Sequence, residues 1–382
     1  MPVTPSALPS IEDLALRSGQ RVLLRADLNV PLRREVDGSR TVADPFRIEA
    51  ALPTIARLRE VDAEVVVCSH LGRPKGVDPM LDMDPVRKIL AQYYPEVEVL
   101  ENLRFDPREE ANDPGFAAGL AAGFDAYVND AFGVSHRRHA SIVGVPPLLP
   151  SAGGQTLLEE VKSLTLLLET PARPYVAVLG GAKVSDKLGL LNALVQRVDT
   201  LLVGGGMCFT FLAAAGLEVG ESLVEGTMID QCQHLLATGK VVLPVDVMGI
   251  AATDTFGPDG GASEPQRFGL GVPAGYRGLD IGVGTVERFS ELLIGARSIL
   301  WNGPMGVFED PRFRQGTDGV AAAIGRSNAY SVVGGGDSVA ALHQAGLADS
   351  VSHLSTGGGA TLEYLEHGDL VGLAALRHSR EP

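Results

Sequence analysis

Cysteine and tryptophan are scarce in this 382-residue sequence, with three and one respectively, and aromatic residues make up only 5% of it. Cys68, Cys208 and Cys232 lie far apart without a C-x-x-C pair, which excludes a disulfide framework or a zinc site of the usual spacing and fits a reducing cytoplasm. Cys68 and Cys208 sit in or beside apolar runs and read as small buried hydrophobes. No segment approaches the ~20 apolar residues of a membrane span. The first twenty residues lack a basic start followed by an apolar run, so a soluble, unexported protein is expected, with no membrane partner. Lys and Arg number 32 against 47 Asp and Glu, a net charge of -15, which excludes nucleic-acid binding through a broad basic face. Any anion site must therefore be local. Two fingerprints are also missing: G-x-x-x-x-G-K-[ST], and G-x-G-x-x-G after a strand. Their absence speaks against an ordinary P-loop enzyme and against a dinucleotide-dependent oxidoreductase.

What is present is a long chain with 45% apolar residues, too long for one ordinary core and best divided into two globular domains. Short β-rich runs recur at 22–24, 64–68, 97–100, 126–128, 175–179, 200–203, 241–245, 298–301, 330–333 and 351–354. Helical patterns fall between them at 47–59, 184–198, 286–296 and 339–347. Strands alternating with helices imply parallel sheets with helical crossovers. The expected fold is α/β, with two doubly wound, Rossmann-like parallel-sheet domains joined by a hinge helix. Leu157, Leu158, Val161, Leu164 and Leu168 give that helix its apolar stripe, and Pro171-Ala172-Arg173-Pro174 ends it. The expected divisions are residues 1–155, a connecting helix at 156–170, a second domain at 171–365, and a segment at 366–382 returning to the first domain. Residues 253–264, rich in Gly, Asp and Pro, read as a surface loop, and 377–382 as a loose polar end.

In open parallel sheets, ligands bind beyond the carboxyl ends of the strands. In the first half those ends carry Arg25-Ala26-Asp27-Leu28-Asn29-Val30-Pro31, then Ser69-His70-Leu71-Gly72-Arg73-Pro74, Glu101-Asn102-Leu103-Arg104-Phe105, and a turn containing His136-Arg137; Arg47 opens the first helix. A single arginine of this kind is ordinarily a solvated surface residue. Four strand ends converging on one sheet edge instead suggest a focused site for a small, multiply charged anion, because guanidinium forks match carboxylate and phosphate oxygens.

The second half ends its strands in glycine: Gly180-Gly181-Ala182-Lys183-Val184-Ser185-Asp186-Lys187, Gly204-Gly205-Gly206, Asn302-Gly303-Pro304-Met305-Gly306 and Gly334-Gly335-Gly336-Asp337-Ser338. Such turns let backbone amides and helix amino ends approach phosphates, which points to a nucleotide site. Gly204 to Gly206 alone are equally compatible with tight packing. Asp337 can hold a magnesium ion at the phosphates or cap the next helix.

Taken in order, these segments resemble phosphoglycerate kinases, over residues 21–376. The resemblance also rests on Trp301-Asn302-Gly303-Pro304-Met305-Gly306-Val307-Phe308-Glu309 and Ser355-Thr356-Gly357-Gly358-Gly359-Ala360. It implies a monomer that moves a phosphoryl group between 1,3-bisphosphoglycerate and ADP, giving 3-phosphoglycerate and ATP, in glycolysis and with Mg²⁺. It further implies that Asp27, Asn29, Arg47, His70, Leu71, Gly72, Arg73, Arg104 and Arg137 bind 3-phosphoglycerate. Lys183, Lys187, Gly278, Leu279, Asn302, Pro304, Glu309, Gly335, Gly336, Asp337 and Ser338 would form the nucleotide site, with Asp337 on the metal and Arg47 and Lys183 on the moving phosphoryl group. The acceptor oxygen is already ionised, so no general base is needed, and closure of the two halves is expected. The chain departs from the family pattern in being short between Gly76 and Glu101, which implies a trimmed first sheet. Ser338 stands where threonine is usual, Ala213 where lysine is common, and Val134, Ser135 and Arg138 flank the His136-Arg137 pair. A nucleotide-binding homologue without turnover is the alternative reading.

Overall fold

The structure, a computed structural model, describes residues 8–379. Its contacts divide the chain into two compact units, one of residues up to 165 together with those from 367 onward, the other of residues 166–366. The boundary at 165/166 falls within the single helix Gln155–Glu169. No helix among the described residues is long and apolar enough to cross a membrane.

The first unit is built on a five-stranded sheet in which all neighbours pair in parallel, in the order Glu98–Val99, Glu64–Cys68, Arg21–Arg25, Ala126–Asn129, Ser151–Gly153. The first strand lies at the centre and later strands add outward on either side, so the chain reverses its direction of winding there. Loops leaving adjacent strands on opposite faces open a crevice at that point, beyond Arg25, Cys68 and Asn129. Apolar residues of the strands pack with Ile48, Ile55 and Leu58 of helix Phe46–Glu60 and Val86 and Leu90 of helix Asp84–Leu90 in one cluster. The short segment between Gly76 and Glu101 thus supplies a helix, but the edge strand it adds is only two residues long.

The second unit holds a six-stranded parallel sheet in the order Val241–Val242, Thr200–Val203, Tyr175–Leu179, Ser298–Asn302, Tyr330–Gly334, His353–Leu354. Every residue of Tyr175–Leu179 is buried, as a parallel strand covered on both faces requires. Helices Val283–Ile294, Gln315–Arg326 and Gly336–Gln344 pack on one face through Phe289, Leu293, Val320, Ile324 and Leu342.

The α/β class and the two parallel sheets are as expected, with local corrections. The strand expected at 241–245 ends at Val242, two residues before Pro244, which has no N–H to give a ladder. A three-stranded antiparallel sheet, with Val247–Ala251 between Gln266–Phe268 and Tyr276–Ile281, was not anticipated. Arg377 is not loose: it closes helix Val371–Arg377 and lies 2.6 Å from Asp369. His378, also in that end, lies 2.7 Å from Ala374 O. Residues 380–382 and residues 1–7 lie outside the described residues.

Candidate functional site

In the first unit the strand ends carry buried polar groups whose partners fix their roles. Arg25, the last residue of its strand, is only 1% exposed. Its Nε donates to Ser141 Oγ at 3.0 Å, and its Nη2 lies 3.2 Å from His70 Nδ1. A guanidinium can only donate, so Nδ1 accepts and the proton of a neutral His70 sits on Nε2. Neutrality follows from the surroundings: burial first, then the charges of Arg25, Arg104, Arg137 and Arg47, hold His70 well below the ordinary histidine range. His139 is pushed down to about 4 by burial and by Arg104, Arg137 and Arg25. Behind Arg25, Ser141 Oγ donates to buried Glu109 at 2.5 Å, and Tyr127 donates to the Ser141 carbonyl at 2.6 Å. A buried carboxylate thus lies one hydroxyl away from a buried guanidinium.

Arg104 is similarly enclosed. Its Nη1 donates to the Gly72 carbonyl at 2.7 Å, its Nε lies 3.1 Å from Glu110, and its Nη2 is buried with no hydrogen-bond partner among the described residues. A buried unpaired guanidinium nitrogen is costly unless a ligand satisfies it. Arg47 pairs with Asp27, while Asn29 Oδ1 accepts the Gly72 amide at 2.8 Å. Leu71 is buried, its amide donating to Asn102 Oδ1 at 3.2 Å, so Leu71 and Gly72 serve through their backbones. Arg137 is half-buried beside His136, and Arg73 is exposed. Three of the arginines expected from the sequence, Arg47, Arg104 and Arg137, act together with Arg25 on one imidazole, and Arg73 is not among them. Arg25 is an addition, and its sequence signal is a cation inside an apolar run.

The pH consequence has a definite sign. Below the ordinary histidine pKa near 6.5 the unfolded chain protonates His70, whereas the folded chain keeps it neutral. The unfolded state then binds more protons, and stability is lost as pH falls through that value. His139 acts in the same direction. Replacing His70 with glutamine is expected to flatten the pH dependence of stability between about pH 5 and 6.5 by up to ~1.4 kcal/mol per pH unit, read from urea midpoints across that range. An unchanged slope would mean that folded His70 carries a charge.

The second unit holds a cavity of about 500 Å³ beyond its strand ends. Gly278, Leu279, Pro304, Glu309 and Asp337 line it, as do Gly181, Gly206 and Phe256. Two helices begin at its wall, Met207–Ala214 with Gly206 as N-cap and Gly336–Gln344 with Gly335 as N-cap. Met207 N already donates to Gly181 O at 3.0 Å and Cys208 N to Gly205 O at 3.2 Å, so it is the amino end of Gly336–Gln344 that offers an anion partial positive charge. The glycines also meet the demands of packing. Gly205 has φ +66°, and a Cβ there would lie 2.6 Å from the Gly181 nitrogen; one on Gly180 would lie 2.0 Å from the Pro304 carbonyl oxygen. Tight packing and exposure to the cavity coexist in these turns.

Three expected nucleotide residues are held behind this wall. Lys187 Nζ donates to Gly180 O at 2.7 Å and to Asn302 Oδ1 at 2.7 Å, pinning two strand ends together, and burial pushes its pKa down to about 8 against the opposing effect of Asp337. Ser338 Oγ accepts the Gly303 amide at 2.7 Å. Lys183 is exposed on the loop after Tyr175–Leu179. Gly335 rather than Asp337 is the N-cap of its helix, so the carboxylate of Asp337 remains exposed at the cavity. A lone carboxylate suits Mg²⁺, which keeps waters and takes further oxygens from substrate phosphates. No group of three or more His, Cys, Asp or Glu side chains that could hold a metal occurs among the described residues. The cysteines are buried and free, and burial raises the Cys68 thiol to about 12.

Comparison with known proteins bears on the family. A family model described as phosphoglycerate kinase matches residues 11–99 and 94–368. The phosphoglycerate kinase of Salinispora tropica is 51% identical over 391 aligned positions, covering 94% of this chain and 96% of that one. That of Rubrobacter xylanophilus is 49% identical, covering 97% and 99%. Among solved structures, phosphoglycerate kinase from Coxiella burnetii matches with a TM-score of 0.86 at 36% identity, over 97% of this chain and 98% of that one. The enzyme from Pyrococcus horikoshii OT3 matches with a TM-score of 0.82 at 29% identity, over 97% and 99%. With a family model spanning most of its length and relatives about half identical from end to end, this chain belongs to the phosphoglycerate kinase family.

Proposed function

We propose that the family's reaction, reversible phosphoryl transfer between 1,3-bisphosphoglycerate and ADP giving 3-phosphoglycerate and ATP, is divided in this chain between its two units. The glycerate substrate binds in the first, at Asp27, Asn29, Arg47, His70, Leu71, Gly72, Arg73, Arg104 and Arg137. The nucleotide binds in the second, with its base against Gly278 and Leu279, its ribose at Glu309, and its phosphates along the turns of Pro304 and of Gly335 and Gly336. Lys187, Asn302 and Ser338 keep those turns in place. The observation that carries the reading is the buried, unpartnered Nη2 of Arg104 beside a neutral imidazole and further arginines. A site that neutralises anions and holds no poised base suits an acceptor that is already ionised. His70 contributes an Nε2–H donor, and Arg47 and Lys183 stabilise the moving group. Mg²⁺, held by Asp337 and phosphate oxygens, would neutralise and bridge phosphate charge when bound. No observation favours a homologue without turnover.

The enzyme acts as a monomer in the cytoplasm, and helix Gln155–Glu169 serves as its hinge. Donor and acceptor oxygens must come into line with water excluded, so the units close when both substrates are bound. Each substrate alone stabilises the closed state only weakly, and both together shift the population. Small-angle scattering of the free protein, each binary complex and a ternary complex with an unreactive nucleotide should give the smallest radius of gyration for the ternary sample. Equal values in all four would overturn the closure.

A further inference from the structure

The nucleotide cavity contains a cation that the sequence reading did not assign. Strand Tyr276–Ile281 carries an irregularity: its register with Val247–Ala251 jumps from Gly278 to Asp280 and leaves Leu279 without a partner. Gly278 and Asp280 face inward: a Cβ on Gly278 would lie 2.2 Å from Phe209 Cζ, and Asp280 is buried. Arg277, Gly278 and Leu279 all line the cavity. The Arg277 guanidinium lies 5.7 Å from the centre of the Phe256 ring, and its Nε is buried with no hydrogen-bond partner among the described residues. It makes no ion pair among them. Glu221 and Ser222 line the same end and are tied to the strand, the Glu221 amide donating to Tyr276 O at 2.7 Å and the Gly278 amide to Ser222 Oγ at 2.9 Å.

From these contacts we infer that Arg277 reads the nucleobase and opens the slot to guanine nucleotides; this rests on the proposal that the cavity is the nucleotide site. An arginine fork offers only donors. Guanine presents two adjacent acceptors, O6 and N7, which the fork meets together, whereas adenine presents N7 beside an N6 amino donor that the fork cannot serve. Glu221, which as a carboxylate only accepts, complements the N1–H and N2 amino donors of guanine and finds no such pair on adenine. The Phe256 ring keeps the guanidinium plane fixed over one wall of the slot. The same cavity end therefore offers a 6-oxo purine contacts at two edges that a 6-amino one lacks, beside the ADP it already takes.

The test is to measure dissociation constants for metal-free GDP and ADP, and kcat/KM for both, in the unaltered protein and in Arg277→Met and Arg277→Lys. Methionine keeps the apolar contact with Phe256 and removes the donors; lysine keeps the charge and removes the fork. The GDP-to-ADP ratio of affinities should fall by about tenfold or more in Arg277→Met, and most of that fall should persist in Arg277→Lys. Equal losses for the two nucleotides would reduce Arg277 to a general support of the base and overturn the inference, with the site itself standing. Failure of the unaltered protein to bind either nucleotide would overturn the nucleotide site, and this inference with it.

Discussion

Changing Arg47 to alanine is expected to lower turnover in a coupled assay with ATP, Mg²⁺ and 3-phosphoglycerate by about 10²- to 10³-fold, the scale of losing one preorganised donor to developing charge. The dissociation constant for ADP should stay within about twofold, because ADP is assigned to the other unit. Arg47 stands in the first turn of helix Phe46–Glu60, where the helix dipole disfavours a cation by about 0.3–1 kcal/mol. Its pairing with Asp27, on the loop after strand Arg21–Arg25, offsets that cost and fixes the guanidinium at the end of the sheet. A cation kept where local electrostatics opposes it is better explained by a ligand than by helix stability. Arg47→Lys should recover only part of the loss, since a point charge cannot reproduce the fork. Asp27→Asn should fall between, weakening the hold on the fork without removing it. If Arg47→Ala turns over at the normal rate, with an unaltered unfolding midpoint, the anion pocket has been put in the wrong place.

Much of the fold was legible because the strands announce themselves. Glu64–Cys68, Tyr175–Leu179 and Thr200–Val203 are compact apolar runs followed by Ser69, Gly180 and Gly204, and their limits match those expected from the sequence residue for residue. The helices that escaped notice lack the expected periodic signal for identifiable reasons. Met207–Ala214 buries nearly every side chain, so it shows no polar face from which a period could be read. Gln315–Arg326 contains Gly316, Gly319 and Gly325, poor helix formers whose presence argues against a helix. Tertiary packing explains two of them: a Cβ on Gly316 would lie 2.2 Å from Asp280 Oδ1, and one on Gly319 would lie 2.4 Å from Val286 Cγ1. The antiparallel sheet escaped because its register joins Val247–Ala251 to partners beyond a polar loop, and nothing local in Gln266–Phe268 marks a strand.

The site was legible in the same uneven way. Arginines that follow a strand stand out in an acidic chain, and Arg104, Arg137 and Arg47 act on the same imidazole. The role of Arg25 was hidden because it depends on Ser141 and Glu109, which come to it from more than 80 positions away in sequence. Phe256 sits in a loop whose glycines and aspartates read as solvent-facing, yet Arg312 ties that loop down by donating to Thr255 O at 3.0 Å and Ser263 O at 2.8 Å. Arg277 reads in isolation as one more surface cation, and only the fold sets it on the cavity wall beside Phe256. Such roles depend on which long-range neighbours the fold supplies, which pattern and spacing along the chain do not encode.

Changing Asp337 to asparagine is expected to weaken binding of Mg-ADP by about 10- to 100-fold, the equivalent of losing one charge-assisted contact worth roughly 1.5–3 kcal/mol. Binding of metal-free ADP should be unchanged or slightly tighter, and this opposite sign is what separates a metal role from a structural one. The carboxylate stands in the first turn of helix Gly336–Gln344 and lines the cavity, so without a cation it faces the nucleotide phosphates as a like charge. Asparagine removes that repulsion while keeping the shape. The helix loses a favourable dipole interaction of about 0.3–1 kcal/mol, a small stability cost that applies equally with and without metal. Because Gly335 is the N-cap, no capping hydrogen bond is broken by the change. Calorimetric titration of both proteins with ADP, in the presence of Mg²⁺ and in the presence of a chelator, gives the four constants required. A ratio of the two affinities that is the same in Asp337→Asn as in the unaltered protein would remove Asp337 from the metal site and leave its charge as a feature of the helix alone.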